Sequence, residues 1–129
     1  MTEYTQERLI KEGYKIENAL IKNVSLTMED NGCLTSWIIL DGGSWGCGYG
    51  GYCLGHGYLG SKKFDSTPSA LEGIMMIMNV VGVEKWESLK GKYVRVATKG
   101  WGDSIKIIGN IVEDRWFDYE SFYGDKEDK

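Results

Sequence analysis

The sequence has little of what most enzymes and nucleic-acid binders are built from. It holds a single histidine, His56. A Ser-His-Asp or Cys-His arrangement would have to use that one ring, which lies in a glycine-rich loop with no nucleophile elbow and no H-E-x-x-H motif beside it. Catalytic chemistry is therefore not expected. Basic charge is also scarce, with 15 Lys+Arg against 19 Asp+Glu and a net charge of −4. Duplex DNA and anionic membranes draw most of their affinity from a basic protein surface, so both are poor partners. A small anionic ligand needs only two or three local cations and is not excluded. There are three cysteines, Cys33, Cys47 and Cys53. An odd count with no secretory leader reads as reduced thiols in a cytosol. A Cys/Cys/His zinc site from Cys47, Cys53 and His56 is conceivable, but no C-x-x-C pair supports it and packing thiols are the plainer reading. No apolar run approaches the ~20 residues of a membrane-spanning helix.

Glycine, by contrast, is concentrated. Residues 41–60 read D-G-G-S-W-G-C-G-Y-G-G-Y-C-L-G-H-G-Y-L-G and hold half of the 18 glycines, interleaved with Trp45, Tyr49, Tyr52, His56 and Tyr58. Glycine weakens regular structure by entropy, so such a run is using what glycine allows: positive φ and close approach of a backbone to another surface. The G-x-G-x-G-G run at 46–51 superficially matches nucleotide loops. It lacks the Walker lysine-serine ending and does not join a strand to a helix in a parallel unit. An irregular strand at a pocket wall or subunit interface suits it better.

The rest of the chain alternates between two periods. Residues 1–14 form an arm or short helix. Val24, Leu26 and Met28 alternate as a half-buried strand does. Asn31-Gly32 then predicts a hairpin, since both turn positions tolerate positive φ. The return strand, 33–40, contains Trp37-Ile38-Ile39-Leu40, dense enough for burial on both faces. Ser66-Thr67-Pro68 reads as a helix start. Leu71, Ile74, Met75, Met78 and Val81 make one apolar stripe expected to face the sheet, and Gly82 closes the helix. Trp86 and Leu89 anchor a helical turn. Residues 92–98 alternate again, with Tyr93, Arg95 and Ala97 on one face and Val94 and Val96 on the other. A return strand at 104–112, a short helix at 116–122 and a disordered charged tail at 124–129 complete the chain. The expectation is a single α+β domain over 15–123. Its antiparallel sheet has about five strands, with one main helix on it and short accessory helices.

Six residues stand out as ligand-binding candidates. Arg95 and Arg115 adjoin aromatics, and a forked donor beside a π face suits a phosphate-linked base. An arginine in a strand is more often a solvated face. Trp101, between two glycines at a turn tip, folds back, caps a ligand or meets another subunit. Asn79, polar among Met78, Val80 and Val81, bonds a base edge or simply a neighbouring carbonyl. Ser44 and Trp45 open the glycine-rich stretch. No metal and no cofactor are expected.

Five segments together carry a resemblance: I-E-N-A-L-I (16–21), M-E-D-N-G-C-L-T (28–35), G-G-S-W-G-C-G-Y-G-G-Y (42–52), V-V-G-V-E-K-W-E-S-L-K-G-K-Y-V-R-V (80–96) and I-I-G-N-I-V-E-D-R-W-F-D (107–118). Their order resembles the first Thoeris anti-defence family of small phage proteins, over residues 16–118. The resemblance implies a non-catalytic sponge. It would hold the cyclic ADP-ribose isomers made by bacterial TIR-domain enzymes, with cyclic di- or trinucleotides at separate sites in some members. It also implies a homo-oligomer, a dimer or a hexamer of dimers, in the cytoplasm of an infected bacterium. By position it carries a pocket role to Asn79, Arg95 and Arg115. Asn31 stands where the family usually has a histidine-like residue, and Trp45 and Cys47 are uncommon in its glycine run. Two rival readings remain: a protein that binds and inhibits a host defence enzyme through the glycine-aromatic stretch, and a hydrolase of the signal. If the glycines serve close approach to a partner or ligand, Gly50→Val or Gly51→Val should damage assembly or ligand holding.

Overall fold

A computed structural model describes residues 3–100 and 102–127. The chain begins with helix α1 (Gln6–Lys11), capped by Thr5, whose hydroxyl accepts the Arg8 N–H. It then builds an antiparallel sheet from β1 (Lys15–Met28), β2 (Cys33–Asp41), β3 (Gly46–Gly50), β4 (Gly55–His56), β5 (Asp65–Ser66), β6 (Tyr93–Thr98), β7 (Ile107–Gly109) and β8 (Trp116–Asp118). Helix α2 (Ala70–Val81) and a 3-10 turn at Trp86–Leu89 fall between β5 and β6, and α3 (Tyr119–Glu127) follows β8 without a loop. The spatial order is β5-β4-β2-β1-β6-β7-β8, with β3 pairing beside β4 on β2.

The fourteen-residue β1 is the spine. Its first part, Lys15 to Leu20, pairs with β6, and Leu20 to Met28 pair with β2, with an irregularity in the β2 pairing between Ile21 and Asn23. The alternation read in β6 is present: Val94 and Val96 enter the main core with Ile21, Ile38, Leu40, Ile108 and Phe117, beneath Ile77 and Val80 of α2. On the opposite face Ala97 and Ile107 join Leu9 of α1 in a smaller core. The sheet is thus covered on both faces, unequally.

Several expectations are corrected. The sheet has eight strands among the described residues, not about five, because the two-residue strands β4 and β5 precede α2 and a further strand, β8, replaces the start of the expected final helix. Trp116–Asp118 is an edge strand, so the final helix starts at Tyr119 and runs to Glu127, past the residue 124 start of the expected tail. The hairpin uses positive φ only at Gly32 (85°), with the Gly32 N–H donating to Glu29 O. Asn31 instead accepts the Cys33 N–H through Oδ1. Helix α2 starts later than Ser66-Thr67-Pro68, at Ala70, and ends at Gly82 as read.

The largest correction concerns which face of α2 is buried. Ala70, Gly73, Ile77 and Val80 point inward, while Leu71 and Met75 of the expected stripe are 77% and 61% exposed. The inward face is small because the packing is close: a Cβ at Gly73 would collide with the Tyr123 ring. Likewise β2 is not buried on both faces, since Ile38 and Leu40 are buried but Ile39 is exposed. Cys33 and Cys53 are joined as a disulfide, their Cα atoms 5.3 Å apart, which corrects the expectation of three reduced thiols. The pairing of Cys33 with His56 brings the segment before β4 alongside the start of β2. Cys47 is free.

The glycine-rich stretch is explained within the chain. The Trp37 ring lies across β3, 3.0 Å from where a Cβ at Gly48 would stand, and it would collide with one at Gly51. Gly50 has φ 116°, and a side chain there would strike the Ser36 carbonyl. The close approach inferred from sequence is that of β3 to β2. Among the described residues no helix is long and apolar enough to cross a membrane.

Candidate functional site

Two concavities hold most of the sequence-derived candidates, and no residue lines both. The first is a groove of about 280 Å³ along the free edge of β8. Its walls are Met76, Asn79 and Val80 of α2, Glu3 and Tyr4 of the N-terminal arm, and the edge segment Asp114–Asp118, with Ser121 at one end.

The groove is positioned by a buried residue that sequence reasoning missed. Asn110 donates through Nδ2 to the carbonyls of Val80 (2.9 Å) and Val81 (3.3 Å). Its Oδ1 accepts the N–H groups of Val112 and Glu113, both at 2.9 Å. It therefore ties the end of α2 to the β7–β8 turn. That turn closes with Asn110 N–H donating to Arg115 O at 2.9 Å. An asparagine after a strand and before a polar turn is the available signal.

Arg115 is the result. One guanidinium nitrogen lies 3.7 Å from where a Cβ at Gly82 would be, under the last turn of α2. The helix end gives a favourable field there. Yet its Nε is buried with no hydrogen-bond partner. A buried donor left unmade carries a penalty of about 1–3 kcal/mol, more when charged. Asn79 stands exposed on α2 beside it.

The edge strand adds further donors and acceptors. Asn110 pairs with Arg115, Ile108 with Phe117, and the Tyr119 N–H donates to Lys106 O at 3.2 Å. Antiparallel ladders alternate in direction. The Trp116 N–H and C=O and the Asp118 N–H therefore point away from β7, toward the groove, while the Asp118 carbonyl opens α3. The carboxylates of Asp114 and Asp118 are already engaged. Asp114 Oδ1 accepts from Gln6 N–H (2.8 Å) and Trp116 Nε1 (2.5 Å). Asp118 accepts from Tyr4 OH (3.3 Å) and Ser121. Burial, then the Asp118 charge, raises the Tyr4 pKa and keeps that hydroxyl a donor.

Arg95 lies behind this groove rather than in it. Its guanidinium stacks 4.9 Å from the Trp116 ring centroid. Its nitrogens donate to Asn110 O (2.7 Å), Glu113 O (2.7 Å) and the Gln6 side chain. Those partners hold Trp116, itself a groove residue, in place.

The second concavity, about 370 Å³, is lined by Ser44, Trp45, Gly46 and Cys47 with Lys15, Glu17, Thr98, Gly100, Gly102, Asp103 and Ile105. Trp101 lies outside the described residues. Several polar groups of this cavity are paired within the chain. Trp45 Nε1 donates to Glu17 Oε1 at 3.3 Å, Asp103 accepts the Lys99 N–H at 3.0 Å, and Thr98 Oγ1 accepts the Gly100 N–H at 3.2 Å. The Trp45 ring folds over Gly42. Burial raises the Cys47 pKa, leaving a poor nucleophile. Among the described residues no group of three His, Cys, Asp or Glu could hold a metal ion.

The structure therefore divides the six candidates. Asn79 and Arg115 share the edge groove, Ser44 and Trp45 share the larger cavity, and Arg95 supports the groove from behind. Comparison with known protein families, curated proteins and solved structures finds no match.

Proposed function

We propose that this chain binds and sequesters small cyclic nucleotide signals of the cyclic ADP-ribose type made by bacterial TIR-domain enzymes, without converting them. The observation that carries the reading is Arg115, which lines an open groove beside exposed Asn79 while its buried Nε finds no partner within the chain. A guanidinium suits a pyrophosphate, and charge-assisted bonds of this kind are worth about 1.5–3 kcal/mol each. The outward backbone groups of β8 suit a base edge. Glu3 at the arm side suits ribose hydroxyls. The resemblance of five sequence segments to the first Thoeris anti-defence family supports the same reading. A groove of about 280 Å³ lies at the small end of the ~300–1,000 Å³ of typical ligand sites. A single copy therefore covers such a ligand only in part, which agrees with a homo-oligomeric sponge in the cytoplasm of an infected bacterium. A second site for cyclic di- or trinucleotides is part of the proposal, and the larger cavity is its candidate.

The test is direct. The protein is incubated with a TIR-generated signal, freed of unbound ligand and heat-denatured, and the supernatant is analysed by chromatography. Intact signal is expected. Its absence removes the sponge, and a cleaved product makes the protein a hydrolase.

One observation favours a second reading, an inhibitor that binds a host defence enzyme. A free strand edge beside a helix is also how extended peptides are held. A stoichiometric partner captured from host lysate through the β8 edge supports it, and capture that survives Arg115→Ala and Asn79→Ala separates it from nucleotide binding.

A further inference from the structure

The tip of the β1–β2 hairpin holds the chain's one Asn-Gly pair, and the fold lays the chain's one histidine against it. Asn31 is exposed, and its Oδ1 accepts the Cys33 N–H at 3.0 Å. The pairing of Cys33 with His56 brings β4 alongside, and the Gly57 N–H donates to Gly32 O at 2.8 Å. Gly32 is buried there. A Cβ on it would stand 3.1 Å from the Tyr58 ring and 3.2 Å from His56 Nε2. Solvent hydroxide therefore reaches the Gly32 N–H poorly, and the imidazole is the acid–base group in place. Of the carboxylates in the turn, Glu29 accepts the Thr35 hydroxyl at 2.9 Å and Asp30 is exposed.

We infer that Asn31-Gly32 is a self-modification site, at which the Gly32 backbone nitrogen displaces the Asn31 side-chain amide with His56 as the proton carrier. The backbone nitrogen after an asparagine closes a five-membered ring on that side chain most readily when it belongs to glycine, which has no Cβ in the way. The bond from Gly32 N to Asn31 Cγ forms, and the bond from Cγ to Nδ2 breaks. His56 takes the Gly32 proton and delivers it to Nδ2, which leaves as ammonia; imidazole both accepts and gives protons near neutral pH. Negative charge gathers on Asn31 Oδ1 as the nitrogen adds, and the Cys33 N–H already donates to that oxygen. Water then opens the ring at either carbonyl, leaving aspartate or isoaspartate at position 31. The Gly32 N–H donates to Glu29 O at 2.9 Å, so this bond opens first and the reaction is slow. The product sets a third carboxylate beside Glu29 and Asp30, and isoaspartate also lengthens the backbone at the turn. The Cys33–Cys53 disulfide holds the two segments together. None of this depends on what the edge groove binds.

Ageing the protein at neutral pH and physiological temperature tests it, with peptide mapping by mass spectrometry and with a protein-isoaspartate methyltransferase to measure isoaspartate. Folded wild type is expected to convert at Asn31 ahead of Asn18, Asn23, Asn79 and Asn110. His56→Gln, at an exposed position, is expected to keep the wild-type circular-dichroism spectrum. Its conversion should be at least about tenfold slower, within reach of the ~10²–10⁴-fold that a positioned acid–base group contributes. In urea the two proteins are expected to convert at the same rate, because the fold no longer brings the ring to Gly32. An Asn31 that stays intact in the folded protein while the unfolded chain converts overturns the inference. So does equal conversion of folded wild type and folded His56→Gln, or a dependence on His56 that persists in urea.

Discussion

The two concavities differ in how their polar groups are satisfied. In the cavity beside Trp45 the indole N–H has Glu17, Asp103 has a backbone N–H, and the ring covers a glycine. In the groove beside β8 the carboxylates of Asp114 and Asp118 are engaged, while Arg115 Nε is buried with no partner and Asn79 is left exposed. Folding alone favours the first condition and penalises the second. That contrast supports the groove, rather than the cavity, as the proposed binding site. The comparison predicts that changes on the Trp45 side register as stability, and changes on the Arg115 side as ligand retention.

The largest expected effect lies on the structural side. Gly50→Val forces a branched side chain into φ 116° and against the Ser36 carbonyl. Backbone strain of ~1–3 kcal/mol and overpacking of ~1–3 kcal/mol add to about 2–6 kcal/mol. This is enough to unfold much of a domain of ordinary stability. Urea denaturation measures it; a variant that unfolds at the wild-type midpoint would show that the approach of β3 to β2 is not tight.

Arg115→Ala should come next, on the binding side. Losing charge-assisted bonds of ~1.5–3 kcal/mol weakens retention about 10–150-fold, while the unfolding midpoint stays near wild type. Arg115→Lys should recover only part, since an ammonium lacks the planar fork. Trp45→Ala is expected to be smaller and of the opposite kind. The half-buried ring loses about 1–2 kcal/mol of packing, a fraction of the ~3–5 kcal/mol for a full core aromatic, with cyclic ADP-ribose retention unchanged. Calorimetry and equilibrium dialysis on the same two variants separate the cases, and an exchange of their effects would invert the comparison.

The smallest effect at neutral pH belongs to Tyr49, fully buried, whose hydroxyl donates to Phe117 O at 3.1 Å. Burial, then the Asp118 charge, raises its pKa well above the ordinary value of 10.0. The unfolded phenol ionises first, so stability is flat below pH 10 and falls as pH rises beyond it. Tyr49→Phe should cost about 1 kcal/mol at pH 7 and make the alkaline fall shallower. Melting curves from pH 7 to 11 check this, and an unchanged slope would mean other groups govern it.

Legibility in the sequence followed the range over which each signal acts. The alternation of Val94 and Val96, the turn at Gly32 and the stop at Gly82 are local, and they were readable. The buried face of α2 was not. Leu71 and Met75 out-rank Ala70 and Gly73 in hydrophobicity, yet close packing against Tyr123 selects the small face. β8 is only three residues long and runs directly into a helix, so its aromatic run read as helical. The partners of Arg95 are carbonyls of the β7–β8 turn and a glutamine 89 residues away, which no local pattern announces. Arg115 was singled out for its aromatic neighbour. What makes it a candidate is the geometry that Asn110 imposes, and that residue was overlooked because a lone asparagine in a turn is ordinary.

Equilibrium dialysis of a cyclic ADP-ribose-type signal against wild type, Arg115→Ala and Trp45→Ala, followed by heat release and chromatography, tests the central claim most directly. The account predicts intact ligand from wild type and Trp45→Ala, and at least tenfold weaker retention by Arg115→Ala. Equal retention by Arg115→Ala and wild type, or none by any of the three, would contradict it.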